Sequence, residues 1–173
     1  EEVDNSVTSP SDTALIIKDK TPHVFYVNNS KFLTHGYKTG TGSWMREVVS
    51  SSDTVSGSLS AVSCGTDICV SFYNSSGRNL KLARLHSGLW QTSVVDSSSD
   101  VGIMNSIAAN SAETLAIAYY DQANKRLRVA EKKVGGSWAI SSVVYLDHKF
   151  GIYPSVVIDS SDTIHVSSSR FKS

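Results

Sequence analysis

The sequence is poor in the residues that mark most functions. Its 173 residues hold two cysteines, three prolines and two methionines. No apolar run approaches the roughly 18 to 20 residues that a membrane-spanning helix needs, so membrane insertion is not expected. Sixteen basic and sixteen acidic residues cancel, which removes any general attraction to nucleic acid or to an anionic surface. The nearest approach to a basic cluster, Lys125, Arg126, Arg128, Lys132 and Lys133, is broken by Glu131 and reads as the solvated edge of a strand. There is no Gly-x-Ser-x-Gly elbow, phosphate loop or His-Glu-x-x-His. Acidic residues such as Asp53, Asp96 and Asp147 sit in turn-like contexts, and serine is too abundant for one to stand out as a nucleophile. An enzyme is not expected, and no cofactor. Windows rich in Ala, Leu, Glu and Lys are also missing, which favours strands over helices.

What is present is Ser, Thr, Val and Ile, the composition of strands joined by short polar turns. It is periodic. Trp44, Trp90 and Trp138 lie 46 and 48 residues apart, Tyr26, Phe72 and Tyr119 lie 46 and 47 apart, and Gly57, Gly102 and Gly151 lie 45 and 49 apart. Four kinds of strand-length segment fall into register with these markers. The first begins at Thr13, Ser60, Ser106 and Ser155. The second includes Asp67–Asn74 and Thr114–Asp121, with counterparts at Thr21–Asn28 and Thr163–Ser167. The third is Leu80–Ala83 and Leu127–Ala130, matched loosely by Phe32–His35; its Lys81, Arg84, Arg126 and Arg128 suggest an exposed outer strand. The fourth opens at each Trp and runs to Val49, Val95 and Val144.

Four short strands per roughly 47 residues is the blade unit of a β-propeller. The expected fold is all-β: a propeller or propeller segment of four-stranded antiparallel blades, about three and a half repeats. The units fall at about 8–54, 55–100, 101–149 and an incomplete 150–173 within one domain, 1–173. A blade has two faces to cover and needs neighbours on both. The chain opens on Glu1 rather than Met, so processing or excision from a longer chain is expected. The fourth unit has only its first two strands, and Glu2-Val3-Asp4 reads like the end of a fourth strand such as Val95-Asp96. A homo-oligomer, or membership of a larger chain, follows as the expectation.

The run of Gly102, Ser106-Ile-Ala, Leu115-Ala-Ile-Ala-Tyr-Tyr-Asp121, with Leu80-Lys-Leu-Ala83 and the Trp, resembles a blade of large secreted bacterial proteins of mostly unassigned function. It is also broadly similar to the blades of propeller lectins. The resemblance covers nearly the whole chain and implies a fold far more specifically than a function. Ser168 and Ser169 depart from it where the Tyr pair would stand. The Ser-x-Asp-x-Gly-x-x-Trp turn of sialidase-type propellers is absent.

Candidate site residues each carry two readings. Trp44, Trp90 and Trp138 could be stacking platforms for sugar rings or wedges between blades. Tyr73 and Tyr120 read as the outward members of their aromatic pairs, with Asn74 and Asp121 presenting polar groups to a ligand or closing turns. His23 and His165 share a register but bring too few partners for zinc, and no metal is expected. Cys64 and Cys69 flank a hairpin where opposed residues could be bridged, or stand as two buried thiols. Asn28-Asn29-Ser30 and Asn74-Ser75-Ser76 fit a glycosylation pattern that turn chemistry also explains. The expected function is an extracellular or cell-surface recognition module, lectin-like or adhesin-like, for carbohydrate or another surface ligand. The alternative is a scaffold or protein-binding propeller without a small-molecule site, and a glycan-acting hydrolase ranks last.

Overall fold

The computed structural model describes residues 1–8, 11–38, 40, 42–144 and 150–170; Asp147 lies outside them. Each block of alternating β-formers becomes a strand, and consecutive strands pair as antiparallel meanders. The first blade is β1 (Thr13–Lys18), β2 (Thr21–Val27), β3 (Leu33–Lys38) and β4 (Trp44–Ser50). The second is β5 (Val55–Cys64), β6 (Asp67–Asn74), β7 (Asn79–His86) and β8 (Leu89–Asp96). The third is β9 (Val101–Ala109), β10 (Leu115–Asp121), β11 (Arg126–Lys132) and β12 (Ala139–Val144). The hairpin β13 (Phe150–Ile158) and β14 (Ile164–Arg170) begins a fourth. The fold is all-β, built from four-stranded antiparallel blades of the β-propeller kind.

The blades stack through their first strands, and side-chain alternation divides each strand between two interfaces. From β6, Ile68, Val70 and Phe72 face the first blade and join Phe25, Val27 and Leu33. Cys69 of the same strand turns towards the third blade and joins Leu80, Ile107, Ile117 and Tyr119. Ala116, Ala118 and Val129 pack on Val156 of the fourth. The recurring serine of the first strand has a bonding role. Ser60 Oγ accepts the amide of Ile107 at 3.1 Å, and Ser106 Oγ accepts that of Val156 at 3.3 Å. These bonds hold the outward edge of each inner strand to its neighbour. Gly57 and Gly102 recur because each first strand bulges there, at φ of 111° and 107°. A Cβ on Gly102 would also press on the Leu80 backbone at 2.9 Å.

The linkers carry the charges that lock blade to blade. Asp96 accepts the Tyr119 hydroxyl at 2.6 Å and Arg128 Nη1 at 2.6 Å. Asp53 accepts Lys81 Nζ at 2.7 Å. At the other end, Asp4 accepts the Tyr26 hydroxyl at 2.7 Å and Arg46 Nη1 at 2.7 Å. Asp4 therefore stands to the first blade as Asp96 stands to the third. These pairs correct the picture of an exposed third strand: Lys81, Arg126 and Arg128 are largely covered and paired with Asp53, Asp121 and Asp96. Their opposite charges arrive from turns and linkers, which strand patterning does not reveal.

The two ends of the stack differ from its middle. Leu15 is 64 % exposed, whereas Ile107, at the equivalent place on β9, is 7 % exposed. Val157 is 56 % exposed, and its equivalent Ala108 8 %. The outer faces are apolar surfaces of the same kind that the middle blades bury.

Candidate functional site

A groove lies between the third and fourth strands of the second blade and the second and third strands of the third. The groove between blades two and three has a volume of about 320 Å³. Leu82 of β7 and Leu115 of β10 form its apolar floor. Gln91, Thr92 and Ser93 of β8 line one bank, and Glu113, Lys132 and Lys133 the other. Trp138 packs against the same core cluster, with Lys132 Nζ 5.8 Å from its ring centroid.

Arg84 is the organising residue. Its Nε donates to the buried carboxylate of Asp67, and its Nη2 to Glu113 at 3.3 Å. His86 Nδ1 adds a contact to Asp67 at 3.0 Å. Burial alone would raise the Asp67 carboxyl; the hydrogen bonds from Arg84 and His86 outweigh it and hold the group below its ordinary value. The guanidinium is thus fixed as a planar donor at the lip of the groove. The hairpin beneath is closed by the disulfide Cys64–Cys69, with sulfurs 2.07 Å apart, buried in the interface with blade three.

The groove between blades one and two has the same architecture and different contents. Where Leu82, Arg84 and Ser93 stand in the second blade, the first has His35, Tyr37 and Glu47. His35 stacks between Phe25 and Tyr37, at centroid distances of 4.9 and 5.0 Å, and Trp90 meets it edge-on at 5.4 Å. Glu47 accepts from Trp90 Nε1 at 2.8 Å and from His35 Nδ1 at 2.9 Å, leaving His35 Nε2 to accept from His23 Nδ1 at 2.9 Å. Burial pushes both imidazoles down. The groove between blades three and four, about 370 Å³, is lined largely by Val129, Ile140, Val143, Ile164 and Val166.

The residues singled out in the sequence do not come together as one site. The tryptophans lie at one end of the strands. Trp90 and Trp138 pack across interfaces, and Trp44 lines a cleft with Glu1, Val3 and Lys38. Tyr73, Asn74, Tyr120 and Asp121 lie at the opposite end, about 17 Å away along a strand. The outward placing of Tyr73 and Tyr120 is corrected: they are 9 % and 8 % exposed. In a stack the far face of a blade is a second interface, so both members of each aromatic pair are covered. The Tyr73 hydroxyl donates to Asp100 at 2.7 Å, and burial pushes the phenol up to about 12. Asp121 is wholly buried and bonds Ser99, Asn124 and Arg126. Asn74 Oδ1 accepts Ser76 Oγ at 2.8 Å, and Asn28 Oδ1 accepts the amides of Ser30 and Phe32 at 3.0 Å, so both sequon asparagines take part in turns through their side-chain carbonyls. His23 and His165 are each held in their own blade, His165 by Asp159 at 2.7 Å. Sequence reading passed over Arg84, Gln91 and Glu113, which come from two blades. The one available signal was Arg84 itself, placed where the equivalent residues are Tyr37 and Glu131.

No protein-family model and no curated protein matches the chain. Solved structures do resemble it. The Aleuria aurantia lectin, an N224Q mutant in complex with α-methyl-L-fucoside, aligns with a TM-score of 0.61 at 12 % identity, over 89 % of this chain and 52 % of that one. The SapL1 lectin in complex with α-methyl fucoside aligns with a TM-score of 0.65 at 13 % identity, over 91 % and 56 %. The NanB sialidase of Streptococcus pneumoniae aligns with a TM-score of 0.57 at 12 % identity, over 92 % and 27 %. The chain spans about half the length of these lectins. At such identities the likeness is one of fold alone, a β-propeller fold that the lectins and the sialidase share.

Proposed function

We propose that this chain is a carbohydrate-recognition module acting outside the cell, with its sugar site in the groove between blades two and three. The observation that carries the reading is the composition of that groove. An apolar floor of Leu82 and Leu115 lies between banks of directional polar groups, Arg84, Gln91, Ser93 and Glu113. A sugar ring has C–H faces that favour an apolar or aromatic surface and a rim of hydroxyls that needs planar donors and acceptors. The lectin structures of the same fold support it, and the buried disulfide suits an oxidising compartment. The contents of the three grooves support one polar site between the described blades rather than one per interface, since the neighbouring groove is filled by rings and the next is mostly aliphatic.

The apolar end faces at Leu15 and Val157 support further blades stacking on both sides, from a second copy or from the same chain. Static light scattering at tens of micromolar checks the former, a monomer mass excluding it. A glycan array tests the function. Binding should fall about tenfold or more in Gln91→Ala and Trp138→Ala variants that keep the wild-type circular dichroism. An array without hits would transfer the assignment to a scaffold propeller.

A further inference from the structure

We infer that the groove between blades two and three selects sugars that carry a carboxylate over neutral ones. This deepens the carbohydrate reading and rests on it. Among the ionisable residues lining the groove, Arg84, Lys132 and Lys133 are cationic and Glu113 is the only carboxylate. That carboxylate is already engaged by Arg84 Nη2, so it offers the ligand less acceptor capacity than its charge suggests. Arg84 has its Nε on Asp67 and its Nη2 on Glu113, while Nη1 has no partner among the described residues. Lys133 lies 4.0 Å from Glu131 at the exposed rim. Lys132 stands over the Trp138 ring and pairs with no carboxylate among the described residues.

The groove therefore presents two free cationic donors of different geometry on opposite banks. One is the planar Nη1 edge of a guanidinium whose orientation is fixed from behind. The other is the Lys132 ammonium on its long stem, beside the Trp138 ring. A carboxylate on a pyranose can accept from both while the ring lies on Leu82 and Leu115. A neutral sugar in the same pose would leave these donors to water and gain only the ring contact and the hydroxyl bonds. The equivalent places elsewhere lack this pairing. Arg84 is replaced by Tyr37 in the first blade and by Glu131 in the third, so the third-blade groove has a carboxylate where the second has its guanidinium. Selection by charge is therefore a property of one groove, set by one substitution in the repeat.

The test is a titration of the isotopically labelled chain, followed by NMR up to millimolar ligand, with galacturonic acid, its methyl ester and galactose. The ester keeps the ring and hydroxyls and removes the charge. The acid should bind about tenfold more tightly than the ester, with the shifts centred on Leu82, Arg84 and Lys132. The advantage should shrink as salt rises, as it must for a partly exposed pair. Arg84→Gln and Lys132→Gln should each bring the acid-to-ester ratio towards one. The lysine variant breaks no buried ion pair, so it stays informative even where Arg84→Gln destabilises the hairpin. N-acetylneuraminic acid binding in place of galacturonate supports the same carboxylate chemistry on a different ring. Equal affinity for acid and ester overturns the inference and leaves the carbohydrate reading standing. A sulfated galactose binding as well as the acid overturns carboxylate selection in favour of charge alone. Failure of every sugar, neutral or acidic, overturns both.

Discussion

The interface between blades one and two and that between blades two and three are built on the same backbone and do opposite things. In the first, Phe25, His35, Tyr37 and Trp90 fill the groove as a stack of rings fastened by Glu47. In the second, Leu82 leaves a floor and Arg84 a rim, and the space stays open. Strand order and pairing are shared, so the difference rests on side chains at equivalent places: Phe25, His35, Tyr37 and Glu47 in one blade, Ser71, Leu82, Arg84 and Ser93 in the next. Closing a blade interface and keeping a site in it are alternatives chosen repeat by repeat.

The largest effects should come from the linker acids. Asp96→Ala leaves Arg128 without its principal partner and Tyr119 without its acceptor in the interface of blades two and three. The expected loss is about 3 to 5 kcal/mol in chemical denaturation. Asp53→Ala should cost less, because the long Lys81 stem can carry its ammonium towards water. Equal losses would show that the two interfaces are locked alike. Next comes Trp90→Ala, at about 3 kcal/mol, the low end for a large aromatic because the ring is half-buried. Trp138→Ala should cost less, since Ser93 stands where Glu47 receives the Trp90 indole. An unchanged denaturant midpoint for Trp90→Ala would mean the ring is a ligand contact rather than a wedge.

Replacing both Cys64 and Cys69 by alanine should cost about 2 kcal/mol, the loop being short. Alkylation of the unreduced, denatured chain followed by intact mass should find no label; two labels would mean free thiols. The smallest effect is one of pH. His23 and His35 are held below their ordinary 6.5 chiefly by burial; His35 and Lys18 push His23 further down, Asp19 opposes, and Glu47 opposes the fall at His35. The unfolded chain therefore takes up protons first as pH falls. Their contribution is complete above about 6.5 and drains away as pH drops from there towards their lowered values. The denaturant midpoint should fall between pH 7.5 and 5.5, and the slope should flatten in His35→Leu, which copies Leu82. A slope unchanged in that variant would place the titration elsewhere.

The repeat, its four strands and the places of the tryptophans were legible because each is a local pattern repeated in phase. Pairing register was not: the hairpin suggests Cys64 and Cys69 as an opposed pair, and the strands instead set Cys64 against Asp67 and Cys69 against Val62. Tyr73 and Tyr120 were misplaced by treating the far face of a blade as open, although a stacked blade has none. The covered Lys81 and Arg128 were misread because Asp53 and Asp96 lie 28 and 32 residues away. The groove was the least legible part: Arg84 and Glu113 meet across 29 residues and two blades. No spacing rule within a repeat finds a pair that spans two.

The serine bridges have a spectroscopic consequence. The amides of Ile107 and Val156 point out of their own sheets and are held by Ser60 and Ser106 of the preceding blades. In most strands, deuterium uptake at an amide reports the opening of the ladder that contains it. At these two it reports the parting of one blade from the next while each sheet remains intact. Their exchange rates, measured beside those of Val70 and Ile117 within the sheets, would separate sliding of the stack from melting of a blade. Residue-resolved exchange on a single sample would then give the strength of each junction in turn.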